Sequence, residues 1–515
     1  MQEDKNNWSL LNFYFKKFIN PFSLIIFFQF VFYILLILNR EVWVDEAYSL
    51  TTSSFRLSDI FFISLNFEGN PPLYFLLLGI WRTIDSSIFF ARILSIALTI
   101  IGTGVFYKIL RFFMKKKHAL ILTVLIVFNP YIIFIALNVR YYAFAFLLGN
   151  LIILFFLKYF VYGEAKFHQV VIFSLVSILA IGTQYQMVFL LFALGVSLPA
   201  LKKWKIFFRY IMGMIAPGLI FLVMMGYLLQ VMDTLSGYSD LHFGVLSIYP
   251  ALVSWVEDYL GFFHWRWGYN PLFYWLFRLP ILVLLVNFLL GSPLKTIKTN
   301  KIFKVTIISL GIIIFIFLLF LFLLIQERFL LAWHRMVLLP LMMMLLGLFF
   351  EYGRYRVVSY SAIIALVLIQ LVSIHNYFKI DFLSQGFQEV SQYLKTKNLP
   401  HKSIFVFPAE TALVAKYELP SSEIISVPVE IDFFDVFDHN LWVLDSQEQL
   451  EELFLPVMKR TDTVNLLRKK NIIPFYNVSY NTHILDSFLQ ESRWKILADT
   501  SFSELRYISF THKEE

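Results

Sequence analysis

The chain contains no cysteine, so disulfides and thiol-ligated metals are excluded, although that absence identifies no compartment. Charge is scarce too. Only 15% of residues are Asp, Glu, Lys or Arg and 59% are apolar, whereas a soluble domain has about 25% and 45–50%. An ordinary water-solvated domain is thereby ruled out. The C-terminal third has no Gly-rich phosphate loop, nucleophile elbow or metal-ligand spacing. No clear internal repeat of the transporter kind is visible.

What is present is long apolar runs, with 59 phenylalanines. A spanning helix needs about 20 mostly apolar residues. Spans are expected near 21–39, 87–110, 119–136, 141–160, 170–184, 186–201, 210–231, 271–290, 305–325, 336–350 and 357–375. The pair 170–184 and 186–201 also reads as one broken helix. Phe22 to Leu38 has no small-residue cleavage site after it, so it is a retained first helix rather than a signal peptide. The net charge of +8 sits in short Lys and Arg runs between spans, a membrane pattern and not a nucleic-acid one. With the N-terminus cytoplasmic, Lys16–Lys17, Lys115–Lys117, Lys202–Lys203 and the 295–304 lysines all fall inside. The basic residues of the outer loops are then all Arg.

From about Asp381 the pattern changes. Phe387, Val390 and Leu394 recur at helical spacing. Ser403–Phe407, Leu441–Leu444, Trp494–Leu497 and Leu505–Phe510 read as strands. Ser446 to Gln449 fits a capping box before an apolar face at Leu450, Leu453, Phe454 and Val457. The expected fold class is therefore a polytopic α-helical membrane protein of about eleven spans with a small C-terminal α/β domain outside the cytoplasm. Its domains would be 1–378, with outer loops 40–86 and 232–270, and 379–515, a docking or lid module.

Four outer-side segments carry chemistry. Asp45 and Glu46, in Val42-Trp-Val-Asp-Glu-Ala-Tyr-Ser49, lie just beyond the first span, where acids are costly and usually functional. The plain alternative is that Asp45 caps a short helix beginning at Glu46. Glu68-Gly-Asn70-Pro-Pro-Leu-Tyr74 places Glu68 and Asn70 before a double proline, which would hold them rigidly at the bundle edge ahead of a helix over Leu73–Trp81. Asn138-Val-Arg140-Tyr141-Tyr142 offers a guanidinium suited to phosphate, against the plainer reading of an arginine snorkelling in an aromatic belt. Trp333-His-Arg335-Met offers a second outer arginine. His264, among Trp265 and Trp267, is more simply a packed imidazole than a ligand.

In order and spacing, these segments resemble the GT-C glycosyltransferases, in the branch holding protein O-mannosyltransferases and lipid A aminoarabinose transferases. The resemblance covers roughly the first 350 residues. It implies a many-helix fold with an outer cavity, a polyprenyl-phosphate sugar donor, and inversion at the anomeric carbon. Asp45 matches the essential acid of the family's first outer loop, and Glu46 its neighbour. Asp45 is expected as base, with Arg140 and Arg335 on the leaving phosphate. Glu68, Asn70, Asn138 and Tyr141 would contact substrate. Relatives often have His or Lys where Asn70 stands, and an acid where Asn138 stands. A divalent metal is thus left with Glu68 and His264 as candidate ligands. The expected partners are membrane lipid, the lipid-linked donor and a glycan, lipid or protein acceptor, without nucleic acid, in a bacterial inner membrane. The rival readings are a flippase or transporter, a polymerase or ligase of lipid-linked glycans, and a non-catalytic scaffold.

Overall fold

Helix α1, Pro21–Ile37, starts where Asn20 accepts the Ser23 N–H at 3.0 Å and Pro21 presets the first turn. This is a computed structural model, and it describes residues 20–38, 40–235, 271–291, 310–311, 338–379, 386–397, 403–429, 443–461, 463–470 and 481–513. The chain divides into two compact units. One is largely helical, and the other joins 39–69 and 228–240 to 381–515.

The first loop carries α2 (Val44–Thr52) and α3 (Leu57–Asn66), which belong to the second unit. The helical unit holds α1 and continues with α4 (Leu73–Arg82), α5 (Ile88–Leu110), α6 (Lys116–Val127) and α7 (Pro130–Leu137). Then come α8 (Tyr142–Phe155), α9 (Phe167–Ile181), α10 (Met187–Ala200) and α11 (Trp204–Leu235). The last are α12 (Pro271–Leu290), α13 (Leu338–Tyr352) and α14 (Arg356–Lys379). Among the described residues, four helices are long and apolar enough to cross a membrane: Ile88–Leu110, Tyr142–Val161, Trp204–Tyr227 and Arg356–His375. At about 1.5 Å per residue, the 23 residues of α5 exceed the roughly 30 Å of a hydrocarbon core.

The expected span 119–136 is two helices, α6 and α7, meeting at 58°. The break falls at Phe128-Asn-Pro130: Asn129 accepts the Tyr131 N–H at 2.8 Å, and Pro130 denies a hydrogen bond to the preceding turn. The pair 170–184 and 186–201 is two helices, α9 and α10, and not one. Span 141–160 is α8 running into a π-helical turn, Phe156–Val161. Span 305–325 lies outside the described residues apart from 310–311.

Phe27, Phe28, Leu35, Phe208, Met212, Leu219 and Val223 point outward. In water that surface would be prohibitive; in lipid it is solvated. Several internal polar groups pair within the bundle, where lipid offers no partner. Gln29 donates to Thr103 Oγ1 at 3.1 Å, and the Tyr33 hydroxyl to the Val127 carbonyl at 2.8 Å. The chain is a polytopic integral membrane protein.

Helices α5 and α8 approach at Gly102, whose carbonyl accepts the Asn150 amide at 3.3 Å. A Cβ at position 102 would stand 2.7 Å from the Phe146 ring. Gly102→Val therefore overpacks this seam and should lower stability by about 1–3 kcal/mol, with Phe146→Leu restoring part of it. Thermal unfolding in detergent measures both. An unshifted midpoint for Gly102→Val would disprove the close approach.

At the lysine-rich end, His118 Nδ1 lies 2.6 Å from Glu351 Oε2 and its Nε2 2.9 Å from the Tyr360 hydroxyl. These contacts tie α6, α13 and α14 together.

In the second unit, α15 (Phe387–Thr396), β1 (Ser403–Phe407), α16 (Ala409–Glu418) and β2 (Glu423–Ser426) come first. They are followed by α17 (Gln447–Thr461), β3 (Val464–Lys469), α18 (Thr482–Gln490), β4 (Trp494–Ser501) and β5 (Leu505–His512). The sheet order is β2-β1-β3-β5-β4, parallel across β2-β1-β3 and antiparallel beyond. Its core gathers Phe405, Phe407, Phe454, Phe488, Trp494 and Phe510. Val443–Leu444, expected within a strand, carries no strand: Leu444 is buried in the core without pairing, and 441–442 lie outside the described residues. Strands β2 and β3 were not expected. Gln449 closes α17 as expected, accepting the Asp445 N–H at 2.9 Å and the Ser446 N–H at 3.4 Å. On the β4–β5 hairpin, Arg506 hydrogen-bonds Asp499 at 2.8 and 2.5 Å and holds its carboxyl below the usual range.

Candidate active site

The first-loop segment folds with the α/β unit. Helix α2 begins at Val44, not at Glu46, with Trp43 in the cap position. Glu46, three positions on, reaches back and accepts the Trp43 N–H at 3.0 Å, which is half of a capping box. The capping reading of Asp45 is thus corrected. Asp45 sits within the first turn, and the neighbouring carboxylate closes the helix end. Glu46 is fully buried, whereas Asp45 is partly exposed. Asp45 also lies where the helix dipole favours negative charge.

Glu68 is oriented by α2 rather than by the double proline. Its Oε1 accepts the Thr52 hydroxyl at 2.8 Å. Thr52 is seven residues after Asp45, so the two share one helix face about 10 Å apart along the axis. The turn at Gly69, with φ of 61°, lets the chain leave this unit. Asn70 belongs to the helical unit, where Pro72 occupies the cap position of α4. The Leu73 N–H donates to the Gly182 carbonyl at 2.9 Å, pinning α4 to the end of α9.

Within the helical unit, α7 ends as Asn138 turns extended, and its amide donates to the Phe134 carbonyl at 2.6 Å. The Arg140 N–H donates to the Asn138 carbonyl at 2.9 Å, and the guanidinium lies 5.8 Å from the centre of the Tyr141 ring. Tyr141 meets Tyr142 edge-on at 4.6 Å. Arg140 is buried in protein, at 8% exposure, so it does not snorkel. Burial in an aromatic pocket favours tight pairing with an anion over solvation.

Arg92 was missed. It is buried at 3% exposure near the start of α5. The signal was in plain view: one arginine set inside an otherwise apolar span is expensive and marks a functional position. Arg335 and His264 lie outside the described residues.

Among the described residues, no group of three or more His, Cys, Asp or Glu is placed to hold a metal. Of the two candidate ligands, Glu68 accepts the Thr52 hydroxyl and His264 lies outside the described residues.

A many-helix membrane bundle, an acidic first loop and a buried arginine after the α7 break define a class, the GT-C fold. Two solved structures share that fold over nearly the whole chain. ArnT from Cupriavidus metallidurans in the apo state aligns over 95% of this chain and 97% of its own, at 12% identity and a TM-score of 0.56. The same protein bound to undecaprenyl phosphate aligns over the same shares, at 12% identity and 0.54. The chain shares the fold of these structures, the GT-C fold. No protein-family model and no curated protein matches the chain.

Proposed function

We propose that this chain is a membrane glycosyltransferase that moves a sugar from a polyprenyl-phosphate donor to an acceptor hydroxyl on the outer face of a bacterial inner membrane. The observation that carries the reading is the fold shared with ArnT over nearly the whole chain. Asp45 lies in the first turn of α2, beside Glu46, which accepts the Trp43 N–H. The fold shared with ArnT, one structure of which holds undecaprenyl phosphate, supports the donor class.

In the reaction, Asp45 takes the proton of the acceptor hydroxyl as its oxygen attacks the anomeric carbon. The bond from that carbon to the phosphate oxygen breaks on the opposite face, which inverts the configuration. The lipid phosphate leaves with an added negative charge. A phosphate needs no strong general acid to depart, only cations aimed at it in a poorly solvated cavity. Arg140 fills that role, with Arg335 and Arg92 as further cations. Glu68, Asn70, Asn138 and Tyr141 orient the substrates. The C-terminal unit lies outside the cytoplasm with the acceptor.

The test is mass spectrometry of envelope glycans from cells with and without the protein. One glycan should lose a sugar-sized mass on deletion and regain it on complementation. Identical glycan profiles in both strains would refute the proposal.

A further inference from the structure

We infer that the C-terminal α/β domain positions the catalytic base: Glu418 and Tyr417 of α16, together with Glu41, fix the height and rotation of α2 and so aim Asp45. The inference rests on the proposed role of Asp45.

Four attachments hold α2. Ahead of the helix, Glu418 Oε1 accepts the Val42 N–H at 2.6 Å. One residue earlier, the Glu41 carboxylate accepts the Gly386 N–H at 3.0 Å and the Gln388 N–H at 2.7 Å, at the N-terminus of α15, where the helix dipole favours it. At the far end, the Thr51 hydroxyl lies 2.9 Å from the Tyr417 hydroxyl. The Thr51 hydroxyl also lies 2.8 Å from the Ala47 carbonyl, to which it can donate. Between these ends, Tyr48 packs against the core of the α/β domain.

Asp45, Tyr48 and Thr51 stand at i, i+3 and i+6, each about 60° around the helix from the one before. Two of the three are held by the α/β domain, and the third is the base. A helix tied only at one end can slide or turn, and a slide of one residue moves every side chain by about 1.5 Å and 100°. A catalytic group tolerates about 0.5 Å, and a misplacement of 1 Å can cost about 10²-fold. Glu418 and Tyr417 are therefore positioning residues: they touch α2, not the substrate.

The test uses the full chain in nanodiscs. Undecaprenyl phosphate serves as the binding probe, and turnover is read as transfer of the sugar mass found in the glycan experiment. In Glu418→Ala/Tyr417→Phe, turnover should fall about 10–10²-fold, while undecaprenyl phosphate affinity stays within about twofold. Deuterium uptake over 42–52 should rise while α5 and α8 keep wild-type protection. Glu418→Gln, whose amide oxygen still accepts the Val42 N–H, should recover turnover with an unchanged pH profile. Wild-type uptake over 42–52 in the double variant overturns the inference. So does a Gln variant as poor as the Ala variant, or a loss of lipid affinity matching the loss of turnover. Asp45→Asn runs alongside: if it turns over normally, the role of Asp45 falls, while deuterium uptake still decides whether the domain holds α2.

Discussion

Asp45→Asn should reduce sugar transfer by about 10²–10⁴-fold, the usual contribution of a positioned proton acceptor, and should leave undecaprenyl phosphate binding intact. The substitution preserves shape and cannot take up a proton. It also leaves the helix end closed, because the Trp43 N–H is held by Glu46. A loss of activity through unfolding of α2 is therefore not expected. The measurement is transfer in nanodiscs at equal protein amounts, paired with lipid binding on the same preparation. A non-catalytic scaffold would be indifferent to the change. A variant that both fails to transfer and fails to bind lipid would place Asp45 in donor recognition and remove it from proton transfer.

The second large effect belongs to Arg140. Arg140→Ala should cost about 10²–10³-fold in turnover, as loss of a charge-stabilising donor does, and should weaken undecaprenyl phosphate binding as well. Arg140→Lys keeps the charge but loses the two-pronged geometry of the guanidinium. It should recover lipid binding in part and turnover less. The two variants thus separate attraction to the phosphate from alignment of its oxygens. If Arg140→Ala bound and transferred like wild type, the phosphate role would pass to Arg92 or Arg335.

The helices were legible because apolar runs of spanning length have little else to become, and Asn129-Pro130 is an explicit stop and start. Asp45 and Arg140 stood out for the same reason, as charges beside hydrocarbon. The finer assignments depended on partners remote in sequence. That Glu46 rather than Asp45 closes α2 rests on one backbone N–H, and both residues are chemically able to do it. Val443–Leu444 has the apolar content of a strand, yet Leu444 is buried without a pairing neighbour, a difference that composition does not encode. Strand β3 hides because Val464–Lys469 ends in Arg-Lys, though it is central to the sheet. Arg468 gains an ion pair with Asp486 that no local pattern announces. The grouping of 39–69 with 381–515 is wholly non-local. A first loop looks like part of the bundle that bounds it until its hydrogen bonds to α15 and α16 are seen.

That grouping bears on when the protein becomes competent during translation. Asp45 leaves the ribosome early, but Glu418 follows roughly 370 residues later, about 20–70 s at ordinary elongation rates. Until then α2 lacks its anchors on α16, even if the first spans are already inserted and able to admit lipid. On the proposed role of Asp45, a chain ended before α16 is expected to transfer no sugar, and transfer by such a truncated chain would show that these anchors are dispensable.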